Sequence, residues 1–391
     1  MTDLEGISVL HIVKGIDIGG NSGGAENFGI RLVRALNKKG VKVTLCAYLR
    51  YDTSVEQYWL RELQNDGIEV FFACPSKRIK LLQARGNIRS WIYDHQVQIV
   101  HSHYQVGTIT CISLKLSNIS GSLIRTAHAN IEFGRSILGA ISRLFFRDCL
   151  YPLVVDCEIG VSRSITDSLN RQIVRRLIHK PARWIPNAIP EIMYEIQNHD
   201  PLTEFLGRIP EQPWLVTTMG ILLPGKNLDI LIRAMAEVIR TIPQAKLVVV
   251  GDGPEFDYLV NLSKELGIAN SCWFLGQQQN INSILQKSNT FVLPSGSEGT
   301  STVLLEAIQN KVPVIASNIA GNRELIQNET SGWLVPVGDV AALSTAIKRA
   351  YDQPAKMKIM AEAAFSQIIL YNLSSVCEKY TEVYLSLRST R

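Results

Sequence analysis

The 391-residue sequence lacks the run of about 20 uncharged apolar residues that a membrane-spanning helix requires. Its seven cysteines are scattered without a Cys-x-x-Cys pair, which argues against a disulfide framework or a zinc site. Charged residues make up only 19% and hydrophobic residues 46%, so disorder is excluded as the main state. The acidic start, Met1–Glu5, is unlike a secretory signal. These features predict a cytoplasmic globular protein with reduced thiols.

Acidic residues are outnumbered by basic ones in the first half of the chain but not in the second. Residues 1–188 hold 24 Lys and Arg against 15 Asp and Glu, whereas the remainder holds 16 against 20. Basic and apolar residues interleave at 77–92 and 171–183, as expected of helices with an apolar face and a cationic rim. This pattern predicts docking on an anionic membrane surface, such as the inner face of the membrane; the alternative is a solvated helix face. Nucleic acid is not an expected partner, because aromatic residues are sparse in both stretches.

Short β-branched runs alternate with helical patterns along the whole chain, which is typical of a parallel, doubly wound sheet. The alternation restarts after 184–190, where two prolines lie within five residues. We therefore predict an α/β protein with two Rossmann-like domains, residues 1–188 and 189–372. We expect the two domains to face each other across a cleft and the ligand to lie there, beyond the carboxyl ends of the strands.

The segment 293–307 carries the most specific chemistry. A buried strand ends at Leu293, a Gly/Ser/Thr loop follows, and a helix is predicted to begin near Ser301 or Thr302. A helix start offers unpaired N–H donors and a positive dipole end, which suit a phosphate. Glu298 in the loop and Glu306 in the helix suit hydrogen bonds to sugar and ribose hydroxyls; the alternative is a capped helix with two solvated glutamates.

Two glycine-containing loops follow the first strand of each half. The loop at 15–26 lets the backbone approach a ligand, but it lacks the GxGxxG spacing of a nicotinamide or flavin site. In the loop at 219–227, Lys226 lies at a loop-to-helix junction, where it is placed to neutralise a diphosphate. A plain surface lysine is the alternative.

Histidines follow two predicted strands. His101 and His103 are two positions apart, which puts them on one side of an extended segment, and His128 follows the next strand. No further ligand has a suitable spacing, so no metal is expected. A structural role is favoured for His101, whereas for His128 a structural role and contact with a transferred group are equally compatible with the sequence.

Together these segments resemble retaining glycosyltransferase family 4, of GT-B architecture, over nearly the whole chain. Glu298 and Glu306 match the family's E-x7-E motif. Further matches, in order along the chain, are Gly23-Gly24-Ala25-Glu26, Val161-Ser162, Pro186-Asn187, Gly251-Asp252-Gly253-Pro254, Phe274-Leu275-Gly276, Pro313-Val314-Ile315-Ala316, Gly321 with Glu324-Leu325-Ile326, and Gly332 with Leu334-Val335.

The resemblance implies a retaining enzyme that moves a sugar from a nucleotide-sugar donor to a glycan or lipid-phosphate acceptor. Surface polysaccharide or glycolipid biosynthesis is the expected setting, and neither a metal nor another cofactor is expected. Residues 1–188 would bind the acceptor and 189–372 the donor. The last helix, about 373–391, is expected to pack back on the first domain.

Site roles follow from the same resemblance. Glu306 would bind the donor ribose, and Gly24 would approach the donor phosphates. Glu298, His128 and Lys226 would be the catalytic residues, with the first two at the transferred sugar and the lysine at the departing diphosphate. Sugar or phosphate oxygens would also meet the backbone amides of Gly299, Thr300 and Ser301.

One departure from the family pattern keeps an alternative open. Gly220-Ile221 stands where the family usually has Gly-Arg, so one of two cations at the diphosphate is absent. Arg323 or an arginine of the first domain is a candidate substitute. A non-catalytic nucleotide-sugar-binding subunit is the alternative, and a sugar-nucleotide epimerase is less compatible with the glutamate pair. The sequence leaves the donor base, the sugar and the acceptor open.

Overall fold

The computed structural model describes residues 6–17, 24–128, 136–189, 202, 206, 213–278 and 280–388. The chain divides into two compact units, Met1–Ala188 with Leu373–Arg391, and Ile189–Asn372. Within the described ranges, none of the helices has both the length and the apolar character needed to cross a membrane. Each unit is built around one parallel sheet.

The first unit contains a seven-stranded sheet in the order β3-β2-β1-β4-β5-β6-β7. Its strands are β1 (Ser8–Val13), β2 (Lys42–Ala47), β3 (Glu69–Phe72), β4 (Ile99–Ser102), β5 (Ser122–Ala127), β6 (Cys157–Gly160) and β7 (Arg183–Trp184). Its helices are α1 (Gly24–Lys38), α2 (Ser54–Asn65), α3 (Leu81–Asp94), α4 (Gln105–Lys115), α5 (Ile137–Ser142), α6 (Tyr151–Val154), α7 (Arg163–Asn170) and α8 (Ile173–Leu177). Apolar clusters cover both faces, which explains why the strands read as continuous apolar runs.

The second unit contains a six-stranded sheet in the order β10-β9-β8-β11-β12-β13. Its strands are β8 (Trp214–Met219), β9 (Ala245–Val250), β10 (Cys272–Phe274), β11 (Thr290–Leu293), β12 (Val314–Ser317) and β13 (Trp333–Val335). Its helices are α9 (Leu228–Thr241), α10 (Phe256–Glu265), α11 (Ile281–Lys287), α12 (Thr302–Gln309), α13 (Ala320–Arg323), α14 (Val340–Asp352) and α15 (Pro354–Gln367). Here too an apolar cluster packs on each face of the sheet.

The two sheets share one topology, because each begins at a central strand, grows to one side and then reverses. The reversal falls between β1 and β4 in the first unit and between β8 and β11 in the second. This is the doubly wound, Rossmann-like arrangement that the alternating pattern predicts, and that prediction is confirmed. Ligands of such sheets bind beyond the carboxyl ends of the strands at the reversal.

The basic stretch at 171–183 does not form one helix, so that interpretation is wrong. Only α8, five residues long, is helical. His179 adopts the left-handed backbone conformation with φ 51°, and Pro181 follows it. Neither conformation continues a right-handed helix.

A last helix, α16 (Leu373–Arg388), lies on the first unit although it follows the second in the chain. It packs beside α1 and buries Val376, Tyr380 and Tyr384 in the core under β1. Lys39 Nζ lies 3.1 Å from Glu378 Oε1 at the edge of this contact. The helix therefore supplies two buried phenols to the interior of the first unit.

Candidate active site

The second unit brings Lys226 and Glu298 together at the reversal of its sheet. Lys226 follows β8 and Glu298 follows β11, and these two strands are hydrogen-bonded neighbours. Because parallel strands end at the same edge, the two loops lie side by side. Lys226 Nζ lies 2.6 Å from Glu298 Oε1. The structure thus joins two of the predicted site residues in an ion pair.

Asn227 fixes the loop that carries the lysine. Pro224–Lys226 forms a single 3-10 turn, which ends where Asn227 adopts the left-handed conformation with φ 53°. The Asn227 side-chain Nδ2 donates to the carbonyl of Pro294 at 3.2 Å, and the Gly296 N–H donates to the Gly225 carbonyl at 3.0 Å. These bonds set the position of Lys226 relative to the Glu298 loop. Sequence reasoning did not identify this role of Asn227.

Helix α12 begins where the sequence predicts. The Ser301 side chain caps the helix by accepting from the Leu304 N–H at 3.4 Å. The N–H groups of Thr302 and Val303 have no acceptor within the helix and lie at its positive end. Glu306 is the fifth residue of the helix and its side chain is buried. A helix start with unpaired N–H groups therefore lies directly beyond the loop that pairs with Lys226.

Glycines keep the loops of this edge close together. A Cβ on Gly321 in α13 would lie 2.1 Å from the Gly299 carbonyl oxygen and 2.6 Å from that of Glu298. A Cβ on Gly251 would lie 2.0 Å from the Gly220 oxygen, and Gly251 also has φ 127°. Only glycine allows such approaches. These two glycines therefore support the backbone at the site.

Ile221 cannot supply a second cation at this edge, because its side chain is uncharged. Ile221 is half-buried in the loop after β8. Arg323 donates through Nη1 to the carbonyl and to the side-chain Oδ1 of Asn318, at 3.1 and 2.9 Å. Its suggested role as a substitute cation stays a prediction.

In the first unit a chain of histidines lies at the corresponding reversal. His11 of β1 is paired in register with His101 of β4. His11 Nδ1 lies 3.2 Å from His103 Nε2, and His103 Nδ1 lies 3.3 Å from His128 Nε2. His128 Nδ1 is buried and has no hydrogen-bond partner among the described residues. The chain of rings thus ends at the residue expected to meet the transferred sugar.

The tyrosines of α16 complete this hydrogen-bond chain. Tyr384 Oη lies 3.2 Å from His11 Nε2 and 2.7 Å from His101 Nδ1. His101 Nε2 lies 2.7 Å from Thr126 Oγ1, which in turn lies 3.3 Å from Tyr380 Oη. Each ring nitrogen of His11, His101 and His103 therefore has a polar neighbour, as neutral imidazoles with one donor and one acceptor require.

Burial keeps these rings neutral. Desolvation lowers the pKa of His11 and of His128 to about 3, with the Arg125 charge contributing at His128. Burial and the neighbouring rings also lower the pKa values of His101 and His103 well below the usual range. His11 was missed in the sequence, although the adjacency of its strand to that of His101 places the two rings together.

Among the residues that the structure describes, His11, His101 and His103 form the one group of side chains close enough together to hold a metal ion. Their nearest nitrogen atoms lie within 4.8 Å of one another and all three side chains are buried. A metal would have to replace the hydrogen bonds that these nitrogens already make. The expectation of a metal-free protein stays a prediction.

Gly24 is the first residue of α1, directly after β1 and its loop. Within the predicted loop at 15–26, residues 18–23 lie outside the described residues. The helix that begins here buries Phe28, Ile30 and Leu32 against the sheet. The position of Gly24 at a helix start agrees with, but does not test, the role expected for it.

Comparison with known proteins identifies the family. A family profile described as Glycosyltransferase Family 4 matches residues 22–191, and one described as Glycosyl transferases group 1 matches residues 203–367. The chain is 33% identical to the lipopolysaccharide core biosynthesis glycosyltransferase LpsD of Rhizobium meliloti, over 94% of this chain and 95% of that protein. It is 25% identical to an Escherichia coli UDP-Gal:alpha-D-GlcNAc-diphosphoundecaprenol alpha-1,3-galactosyltransferase, over 84% and 86% of the two chains.

The fold is also found among solved structures. Sucrose-phosphate synthase from Thermosynechococcus elongatus superposes with a TM-score of 0.82 at 20% identity, covering 98% of this chain and all of that one. Together with the two parallel-sheet units, this likeness gives the fold as GT-B. The chain belongs to glycosyltransferase family 4 and is a glycosyltransferase.

Proposed function

We propose that this glycosyltransferase transfers the sugar of a nucleoside diphosphate sugar, with retention, to a glycan or lipid-phosphate acceptor. The observation that carries the proposal is the Lys226–Glu298 pair, 2.6 Å apart, beside the start of α12. A cation, a helix N-terminus and two carboxylates at one sheet edge suit a diphosphate flanked by two sugars.

The departing diphosphate explains why a cation and a dipole are needed. As the glycosidic bond breaks, negative charge develops on the leaving oxygen and positive charge on the sugar ring. Lys226 and the N–H groups of Thr302 and Val303 would stabilise the former. The backbone amides of Gly299, Thr300 and Ser301 belong to the same proposed donor site. This arrangement needs no metal ion, and we expect none.

The two glutamates have separate proposed tasks. Glu306, buried on α12, would accept hydrogen bonds from the ribose hydroxyls. Glu298, in the loop, would contact the transferred sugar and lies within reach of the cation at the diphosphate. Gly24 and His128 of the first unit are assigned to the donor phosphates and to the transferred sugar, as the family resemblance implies.

The names of the relatives guide the choice of substrates. The Escherichia coli relative is named for a UDP-sugar donor and a diphosphoundecaprenol acceptor, and the Rhizobium relative for lipopolysaccharide core biosynthesis. UDP-sugars are therefore the first donors to test, with GDP- and ADP-sugars beside them. Lipid-linked sugars and short glycans are the first acceptors to test.

The experiment measures nucleoside diphosphate release and product formation with the purified full-length chain. Loss of one charge-stabilising donor at a leaving group lowers kcat by about 100- to 1000-fold. We expect that loss for Lys226→Ala and partial recovery for Lys226→Arg. Lys356→Ala is the matched control, because Lys356 forms an exposed ion pair with Glu329 at 2.7 Å in the same unit. Full turnover by Lys226→Ala would refute the proposal.

A further inference from the structure

An apolar surface of the first unit lies exposed on consecutive helical turns. Helix α5 continues into a π-helical segment, Arg143–Leu150, and then into α6. Large side chains on this stretch point outward: Ile137 is 83% exposed, Leu138 76%, Leu144 64% and Phe145 57%. Exposed apolar groups in such density on a folded domain mark an interaction surface.

Helix α8 extends the same surface from another part of the chain. It packs against the π-helical segment and against α6. Ile173 and Leu177 of α8 are also mostly exposed. They line a shallow groove of about 730 Å³ together with Arg176, His179 and Lys180. Two segments distant in sequence are therefore in contact, and each carries exposed apolar side chains. We call them together the α5–α8 surface, comprising residues 136–154 and 171–183.

The two segments of the α5–α8 surface are rich in basic residues. Its basic residues are Arg143, Arg147, Arg171, Arg175, Arg176, Lys180 and Arg183, whereas Asp148 is its one acidic residue. Arg175 is withdrawn into the interior, where it pairs with the buried Glu158. Arg171, Arg176 and Arg183 remain exposed. Exposed apolar side chains on segments that also carry three exposed arginines are complementary to an anionic bilayer, which offers hydrocarbon beneath negative headgroups.

We infer that the α5–α8 surface docks the enzyme on an anionic phospholipid bilayer, with Leu144 and Phe145 inserted among the lipids. A second copy of the chain is the less suitable occupant, because a symmetric contact would place like charges opposite each other. The inference rests on the proposed function only for the purpose of docking, which would bring the enzyme to a lipid-phosphate acceptor.

The experiment measures cosedimentation of the full-length protein with phosphatidylglycerol vesicles and with phosphatidylcholine vesicles. Binding is expected with the anionic vesicles, and high salt is expected to release the protein. The double variant Leu144→Ser with Phe145→Ser removes side chains that touch solvent, and binding should weaken at least roughly tenfold. Arg171→Gln with Arg176→Gln should weaken binding about fivefold for each charge.

Matched controls lie elsewhere on the chain. Ile359→Ser with Lys358→Gln removes an exposed apolar residue and its basic neighbour from α15, and binding should not change. Leu82→Ser with Arg89→Gln tests α3, whose exposed Leu82 also lies among basic residues. If the α3 variant loses binding while the Leu144/Phe145 variant keeps it, the inference is overturned. Equal binding to phosphatidylcholine overturns it as well.

Two further readouts separate this inference from the proposed function. Transfer to a short water-soluble acceptor without vesicles should be unchanged in the Leu144/Phe145 variant, whereas Lys226→Ala should lose transfer and still bind vesicles. Light scattering without lipid should give the same monomer mass for the wild type and for the Leu144/Phe145 variant. A wild-type dimer that this variant dissociates would assign the surface to a second copy and overturn the inference.

Discussion

Lys226 and Glu298 lie 72 positions apart in the chain, yet Nζ of the lysine is 2.6 Å from Oε1 of the glutamate. The contact arises because β8 and β11 are neighbours at the point where the sheet order reverses. The cation proposed for the diphosphate is thus held by the carboxylate proposed for the sugar. A bound diphosphate would compete with Glu298 for the same ammonium group.

This competition predicts a split effect of Glu298→Gln. The variant keeps the shape of the side chain but removes the charge that pairs with Lys226. Nucleoside diphosphate should bind equally well or up to about fivefold more tightly, because a partly exposed ion pair contributes at most about 1 kcal/mol. Sugar transfer should nevertheless fall, because the contact with the sugar is altered. Calorimetric titration and kcat measure the two effects, and weaker diphosphate binding would contradict the competition.

Gly321→Ala should impair the site without removing any group that touches substrate. The new Cβ would lie 2.1 Å from the Gly299 carbonyl oxygen, so the Glu298–Gly299 backbone must shift. We expect at least about tenfold lower kcat/KM, because small displacements of catalytic groups are costly. Gly86→Ala is the control: a Cβ there meets nothing within 4 Å, and alanine favours the interior of α3. Wild-type turnover by Gly321→Ala would show that this backbone contact is not needed.

Glu158→Gln should strongly destabilise the first unit. Glu158 is fully buried on β6 between Arg125 of β5 and Arg175 of α8. Removing one partner leaves buried guanidinium charges uncompensated, which costs about 3–5 kcal/mol of unfolding free energy. Glu329→Gln breaks two exposed ion pairs, with Arg349 and Lys356, each of which contributes at most about 1 kcal/mol. Urea denaturation measures the unfolding free energy of both variants. Equal losses in the two would contradict the role of Glu158 as the counter-charge of two buried arginines.

The buried histidines predict a loss of stability on mild acidification. An unfolded histidine takes up a proton below about pH 6.5. Burial lowers the pKa of His11 and His128 to about 3, so between these values the unfolded chain binds more protons. Stability should therefore fall as pH falls from 6.5, by up to about 1.4 kcal/mol per pH unit for each ring.

The window between pH 6.5 and 5 isolates this effect, because most carboxylates titrate below it. Urea denaturation midpoints across that window measure the slope. The His103→Gln variant has one ring fewer and should show a shallower slope, whatever its stability at pH 7. A wild-type midpoint that does not change between pH 7 and 5 would show that the rings are not held neutral by burial.

Much of this architecture could be predicted from the sequence because both sheets are buried on two faces. Their strands are apolar runs with clear ends, and Ser301 at the start of α12 is a recognisable helix cap. These boundaries correctly predicted that Glu298 lies in a loop and Glu306 in a helix. Short edge strands such as β7 and β13 could not be recognised in this way, because two or three residues are too few to show a hydrophobic pattern.

What the sequence could not reveal depends on contacts between distant positions. His11 meets His101 only because β1 pairs with β4, and Gly321 supports Glu298 only because α13 folds against that loop. The π-helical segment reads as an ordinary apolar helix, and its outward orientation follows from tertiary packing. The predicted cleft between the domains, the cytoplasmic location and the roles of Gly24 and His128 stay predictions.

The most direct test of the account is calorimetric titration of UDP, GDP and ADP into the full-length wild type and the Lys226→Ala variant. The account predicts that one of these nucleotides binds the wild type and that Lys226→Ala binds it at least about tenfold more weakly, because a charge-assisted contact to phosphate is lost. Lys356→Ala should bind as the wild type does. Undiminished affinity of Lys226→Ala for that nucleotide would contradict the proposal that this sheet edge holds the donor diphosphate.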